Sequence, residues 1–166
     1  MVPLLLAAAA WLLGCGSVAL CGQTASEYDL KAAYLYNFVQ FVKWPAGGSG
    51  VVGVLGDDPF GGKLEAALQG KLSVKRSRKV DDLRNCKVVF IANSERGSVA
   101  GILASLAGTS VLTVGESDGF AKQGGIIGFT MEGEKVRFEI NTRAAQNGGL
   151  AISSRLLKLA SRVVNP

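Results

Sequence analysis

Three short apolar runs constrain the fold of this chain most: Val51 to Leu55, Lys87 to Ala92 and Ser110 to Val114, with helix-length segments between them. Runs of this length suit strands covered on both faces, as in a parallel sheet, and are too short for buried helices. The segments between them carry helix signals. Asp58 stands at a helix N-cap position with Pro59 at the first helical position, and the amphipathic stretch to Leu68 closes at Gly70. Ser94 to Leu106 reads as a further helix stopped by Gly108. Leu72 to Arg76 adds a strand and Asp81 to Arg84 a helical turn.

The two ends of this pattern differ from its middle. Ser26 and Asp29 form a capping-box pattern ahead of Leu30, Tyr34, Phe38, Phe41 and Val42, which predicts a first helix that Trp44-Pro45 ends. Gly125 to Glu132 and Lys135 to Asn141, joined by Gly133-Glu134, predict an antiparallel hairpin. In its second strand Val136, Phe138 and Ile140 alternate with Arg137 and Glu139. Ile152 to Val163 reads as a last helix. The expectation is a single α/β domain: a mostly parallel central sheet of about six strands flanked by helices, with a C-terminal antiparallel hairpin and a final helix.

The first charged side chain is Glu27, and Leu4 to Leu13 form an apolar run followed by the small residues Gly14, Gly16, Ser17 and Ala19. This is the pattern of a cleaved signal peptide, so residues 1–25 are assigned to export and 26–166 to the domain. Leu12-Leu13-Gly14-Cys15 matches a lipobox, which would put a lipid on Cys15. The favoured alternative is that Cys15 is discarded with the signal. Whichever bond is cut, at most Cys21 and Cys86 remain; this excludes a disulfide scaffold, and Cys86 reads as an unpaired core residue.

With 18 Lys and Arg against 13 Asp and Glu the chain carries a net charge of +5. The densest cluster is Lys71, Lys75, Arg76, Arg78 and Lys79, and its favoured reading is a solvated edge strand kept from self-pairing by its cations. The alternative is an anionic partner surface. No aromatics interleave with the cluster, so nucleic-acid binding is not expected.

The chain has no histidine, which removes Ser-His and Cys-His nucleophilic pairs and the commonest metal ligand. Asp57 and Asp58 suit a helix start better than acid-base or cation chemistry. The glycines of 56–62 and 119–125 match neither phosphate-loop spacing and read as turns, Gly124-Gly125 supplying a positive backbone angle. No catalytic residue, metal or cofactor is expected. Tyr36 and Trp44 fall off the apolar stripe of the first helix, so they are candidates to line a groove or partner interface.

The segments EYDLKAAYLYNFVQFVKWP (27–45), VLGDDPFGG (54–62), CKVVFIANSE (86–95), VLTVGESDGFAKQGGIIGF (111–129), VRFEIN (136–141) and ISSRLLKLA (152–160) together resemble the YfiR/HmsC-like family of periplasmic proteins. The resemblance implies a non-catalytic regulator. It would bind the periplasmic sensor region of an inner-membrane diguanylate cyclase, hold the enzyme down, and so lower cyclic-di-GMP and biofilm formation. In some such systems an outer-membrane lipoprotein captures the regulator; a homodimer is a further partner left open. In many relatives a Cys stands where this chain has Gly53, able to pair with the counterpart of Cys86. That bond is not carried over, and the glycine is expected to leave a core position lightly filled. Candidate contact residues are Glu139, Asn141, Arg143, Arg155 and Lys158, against a reading as ordinary surface charges. The alternative function is a periplasmic small-molecule binding or sensor module with a cleft beside the strand ends. An enzyme using Asp57 and Asp58 is the weakest reading.

Overall fold

Helix α1 (Glu27–Phe41) starts where its sequence says it should. Ser26 Oγ accepts the Asp29 N–H while the Asp29 carboxylate accepts the Ser26 N–H at 2.9 Å, closing the capping box. The structure, a computed structural model, describes residues 25–45 and 49–165. The signal-peptide and Cys15 readings therefore fall outside the described residues. Among the described residues no helix is long and apolar enough to cross a membrane.

Seven strands form the central sheet: β2 (Val51–Leu55), β3 (Ser73–Ser77), β4 (Val88–Ile91), β5 (Leu112–Gly115), β6 (Ile127–Glu132), β7 (Lys135–Asn141) and β9 (Arg162–Val164). Their order is β3-β2-β4-β5-β6-β7-β9. The first five are mutually parallel; β7 runs antiparallel to β6, and β9 parallel to β7. The apolar runs became parallel strands and the hairpin became β6–β7, as expected. Two further short strands, β1 (Val42–Lys43) and β8 (Ala151–Ile152), pair antiparallel beside the sheet.

The remaining helices are α2 (Lys63–Leu68), α3 (Val99–Leu106), α4 (Thr142–Asn147) and α5 (Ser154–Leu159), with 3-10 turns η1 (Val80–Leu83) and η2 (Asn93–Glu95). Three boundaries depart from expectation. The Asp58 carboxylate accepts the Phe60 N–H at 2.8 Å in a local turn, so α2 begins at Lys63 and not at Pro59. The segment 94–106 is broken between η2 and α3. The last helix stops at Leu159 because Ala160 turns extended, at φ −66° and ψ 139°, and the β-branched Val163 and Val164 pair with Ile140 and Asn141 as the seventh strand.

Alternation along the strands sends side chains into two cores. Val52, Val54, Val88, Phe90, Leu112 and Val114 pack with α1, α2 and α5 on one face. Leu55, Val89 and Ile91 pack with Leu83, Cys86, α3 and Phe120 on the other. Cys86 is buried in the core and has no disulfide partner among the described residues, and burial pushes its pKa up. The light filling expected beside it is not found: a Cβ added to Gly53 would lie 3.1 Å from both Cys86 Sγ and Leu83 Cδ2 and 3.3 Å from Val89 Cγ2. Neighbouring side chains have closed over the glycine.

The glycines of the 111–129 segment have a more specific reason than turn-making. Gly124 does adopt a positive φ of 103°. Gly115 and Gly125, however, lie against the buried Phe120 ring, and a Cβ on either would overlap it. The loop after β5 folds back and lays Phe120 on bare backbone, which only glycine allows.

Candidate functional site

The strand order reverses between β2 and β4, the switch point at which doubly wound sheets open a crevice at their carboxyl ends. Here that crest carries Asp57, Asp58, Asn93 and Glu116. Asp57 pairs with Arg78, and Asp58 with Arg76 Nε at 2.6 Å. Both act as struts between the crest and β3. Glu116 accepts from Lys31 Nζ at 2.7 Å, the Asn93 N–H at 3.1 Å and the Tyr28 hydroxyl at 3.3 Å. Lys31, only 3% exposed, also pairs with Glu27.

Burial alone would lower the Lys31 pKa, but hydrogen bonds to Glu116 and Glu27 outweigh it and hold the ammonium above its ordinary value. Burial, reinforced by Glu116, raises the Tyr28 phenol. The charges at the crest therefore answer one another. Two cavities, of about 290 and 420 Å³, share Asn93, Glu116 and Asp118. No group of three or more metal-ligating Asp, Glu, His or Cys side chains occurs among the described residues.

A different concavity opens on the α3 face. The eight-residue α3 leaves a groove between itself and α4, about 330 Å³ in volume, walled by Leu103, Leu106, Val111 and Ile126. Thr113 and Asn141 sit at its floor and Arg143 at its rim.

Of the five expected contact residues, the structure removes one from the surface. Asn141 is 2% exposed: its Oδ1 caps α4 through the Ala144 N–H at 2.9 Å, and its Nδ2 donates to the Ala121 carbonyl at 2.8 Å. It positions Arg143 and is not itself available. Glu139 is half-buried on β7, with Arg162 Nε 3.6 Å away. Arg143, Arg155 and Lys158 are exposed. Arg155 lies over the Phe41 ring at 5.7 Å, while Lys158 has no ion-pair partner among the described residues.

Tyr36 and Trp44 each lie under a lysine and are both half-buried. The Tyr36 hydroxyl accepts from Lys71 at 2.8 Å; Trp44 lies beneath Lys87 Nζ at 4.6 Å, and its buried indole N–H has no partner among the described residues. The sequence reading missed Arg162, Leu159 and Val163. The last two are large apolar residues 60% and 44% exposed, in a segment that also carries Arg155, Lys158 and Arg162. The sequence signal for β9 is the β-branched pair Val163-Val164, of which the predicted helix takes in Val163.

The five parallel strands in this order define a doubly wound α/β domain extended by an antiparallel edge. Residues 28–161 match the family model described as YfiR/HmsC-like, and the chain belongs to that family. No curated protein matches it. Two solved structures share the fold: a conserved domain protein from Vibrio cholerae O1 biovar eltor, at TM-score 0.61 and 13% identity, and an ABC domain in complex with L-Trp from Streptococcus pneumoniae, at TM-score 0.61 and 12% identity. The alignments cover 84% and 80% of this chain but only 60% and 62% of those proteins. At such identities the likeness concerns the fold alone.

Proposed function

We propose that this protein is a periplasmic regulator that binds the sensor region of a membrane-bound diguanylate cyclase and holds the enzyme in its inactive conformation, lowering cyclic-di-GMP and biofilm formation. Family membership across residues 28–161 carries the reading. A repressor of this kind works by binding one conformation of its partner more tightly than the other. The contact surface in this reading is the C-terminal edge: Leu159 and Val163 as the apolar centre, with Arg143, Arg155 and Lys158 as a cationic rim facing an acidic partner. Glu139 orients Arg162 within that rim. An outer-membrane lipoprotein that relieves repression would compete for the same edge.

Deleting the gene should raise cellular cyclic-di-GMP, and the intact gene supplied in trans should lower it again. Unchanged cyclic-di-GMP in a strain that retains a cyclase with a periplasmic sensor region would count against the proposal.

A further inference from the structure

We propose that the groove between α3 and α4 binds an aliphatic carboxylate of medium chain length, its acyl chain lying between the two helices and its carboxylate meeting Arg143. The groove shares Arg143 with the rim of the proposed contact edge, but the inference does not rest on the regulatory reading, because ligand binding is read on the protein alone.

The groove, at about 330 Å³, reaches the size range of small-molecule sites, roughly 300 to 1,000 Å³. Its walls are Leu103, Leu106, Val111, Ile126 and the alanines 107 and 144, with no aromatic side chain lining it. An aliphatic wall packs a flexible chain well and gives a flat ring nothing to stack on. The polar groups fix the direction of entry. At the floor, Asn141 has both ends of its amide engaged, and the Thr113 hydroxyl accepts the Ile126 N–H at 3.0 Å, so both are tied into the fold and neither carries a charge to draw the carboxylate inward. The only charged residue lining the groove is Arg143, at the mouth.

Arg76, Arg78, Arg84, Arg137 and Arg162 each have a carboxylate within ion-pair distance, whereas Arg143, like Arg96 and Arg155, has none among the described residues, and of these three it alone lines the groove. A guanidinium left free at the rim of an apolar trough offers a two-pronged donor to a carboxylate whose tail is drawn inward. The amphiphile enters tail first, and its head stays at the water boundary.

Isothermal titration of the exported protein with hexanoate, octanoate and decanoate tests this. Affinity should rise about fourfold per methylene while the groove fills, the factor that about 0.8 kcal/mol per buried CH₂ implies, and then level off. Arg143→Gln should weaken octanoate at least tenfold and leave 1-octanol unaffected. Ala107→Trp, at an exposed position on the groove wall, should block both while thermal unfolding stays as in wild type. Failure of octanoate to bind at millimolar concentration would overturn the proposal, as would equal binding by Arg143→Gln or by Ala107→Trp.

Discussion

Both edges of the sheet are basic, yet they differ in what their cations do. At the β3 edge Arg76 is held by Asp58, Glu65 and the Gly61 carbonyl, Arg78 by Asp57, Lys75 by the Asp82 carbonyl and Lys71 by the Tyr36 hydroxyl. Hydrogen bonds donated to Glu65 and Asp58 raise the Arg76 pKa above its ordinary value. At the β9 edge Arg155 rests on an aromatic ring, Lys158 has no ion-pair partner among the described residues, and Arg162 reaches a half-buried carboxylate at 3.6 Å. Two apolar side chains stand exposed among them. The two arginines of the denser cluster are therefore paired with carboxylates of their own fold, while Lys71 and Lys75 meet only neutral oxygens; at the sparser edge Arg155 and Lys158 have no carboxylate partner among the described residues. Charge density along a chain does not measure the charge available at its surface.

The edges are also anchored differently, and the largest effects should show this. Leu156, 1% exposed, ties α5 and with it the β9 edge to the core, whereas Val74 of β3 is only partly buried. Leu156→Ala should cost about 3 kcal/mol in urea unfolding, and Val74→Ala about 1 kcal/mol. The reverse order would show that the β3 edge is the more tightly held. Next in size is a gain. The 3.1 Å between an added Cβ at Gly53 and Cys86 Sγ is close to the roughly 3 Å that a disulfide imposes between those atoms. Gly53→Cys should therefore form a bond to Cys86 under oxidising conditions, stabilising the β3 side by about 2 kcal/mol after Leu83 shifts. Alkylation and peptide mapping that still find a free Cys86 thiol would refute this.

A third effect, about 1 kcal/mol or less, concerns Arg76, whose side chain is 38% exposed. Its hydrogen bond holds the Glu65 carboxyl below the ordinary 4.5. A carboxylate whose folded pKa is depressed stabilises the protein above its unfolded pKa, and that stabilisation is lost as pH falls through the folded value. Arg76→Met should thus be least stable relative to wild type at neutral pH, and the gap should narrow below pH 4.5. A gap that stays constant down to pH 3 would mean that the β3 network contributes through packing and not charge.

Much of this fold was legible because it rests on short-range patterning. The apolar runs gave β2, β4 and β5, the capping box gave α1, and the period-two alternation gave β7 to the residue. What was not legible depends on long-range contacts. Residues 162–164 become a strand only because β7 presents an open edge, and Gly125 needs its missing Cβ only because Phe120 folds back over it. The site was read unevenly for the same reason. Arg143, Arg155 and Lys158 are exposed as expected, but Asn141 looks like a surface residue until the Ala121 carbonyl and the start of α4 claim its amide.

The smallest effect on stability should carry the sharpest functional contrast. Arg155 and Lys158 are exposed, and neither has a carboxylate within ion-pair distance among the described residues. Arg155→Glu with Lys158→Glu should therefore shift unfolding by no more than about 0.5 kcal/mol. The same reversal at β3, Lys75→Glu with Lys79→Glu, should be equally mild. Binding to the periplasmic region of a cognate cyclase should separate the two pairs. The β9 pair should weaken association at least tenfold and flatten its salt dependence, because rim cations steer an acidic partner. The β3 pair should leave affinity and salt dependence near wild type. If instead both pairs weaken binding alike, the partner responds to net charge and the β9 edge is not the contact surface. If only the β3 pair does, the β3 edge is the one the partner reads.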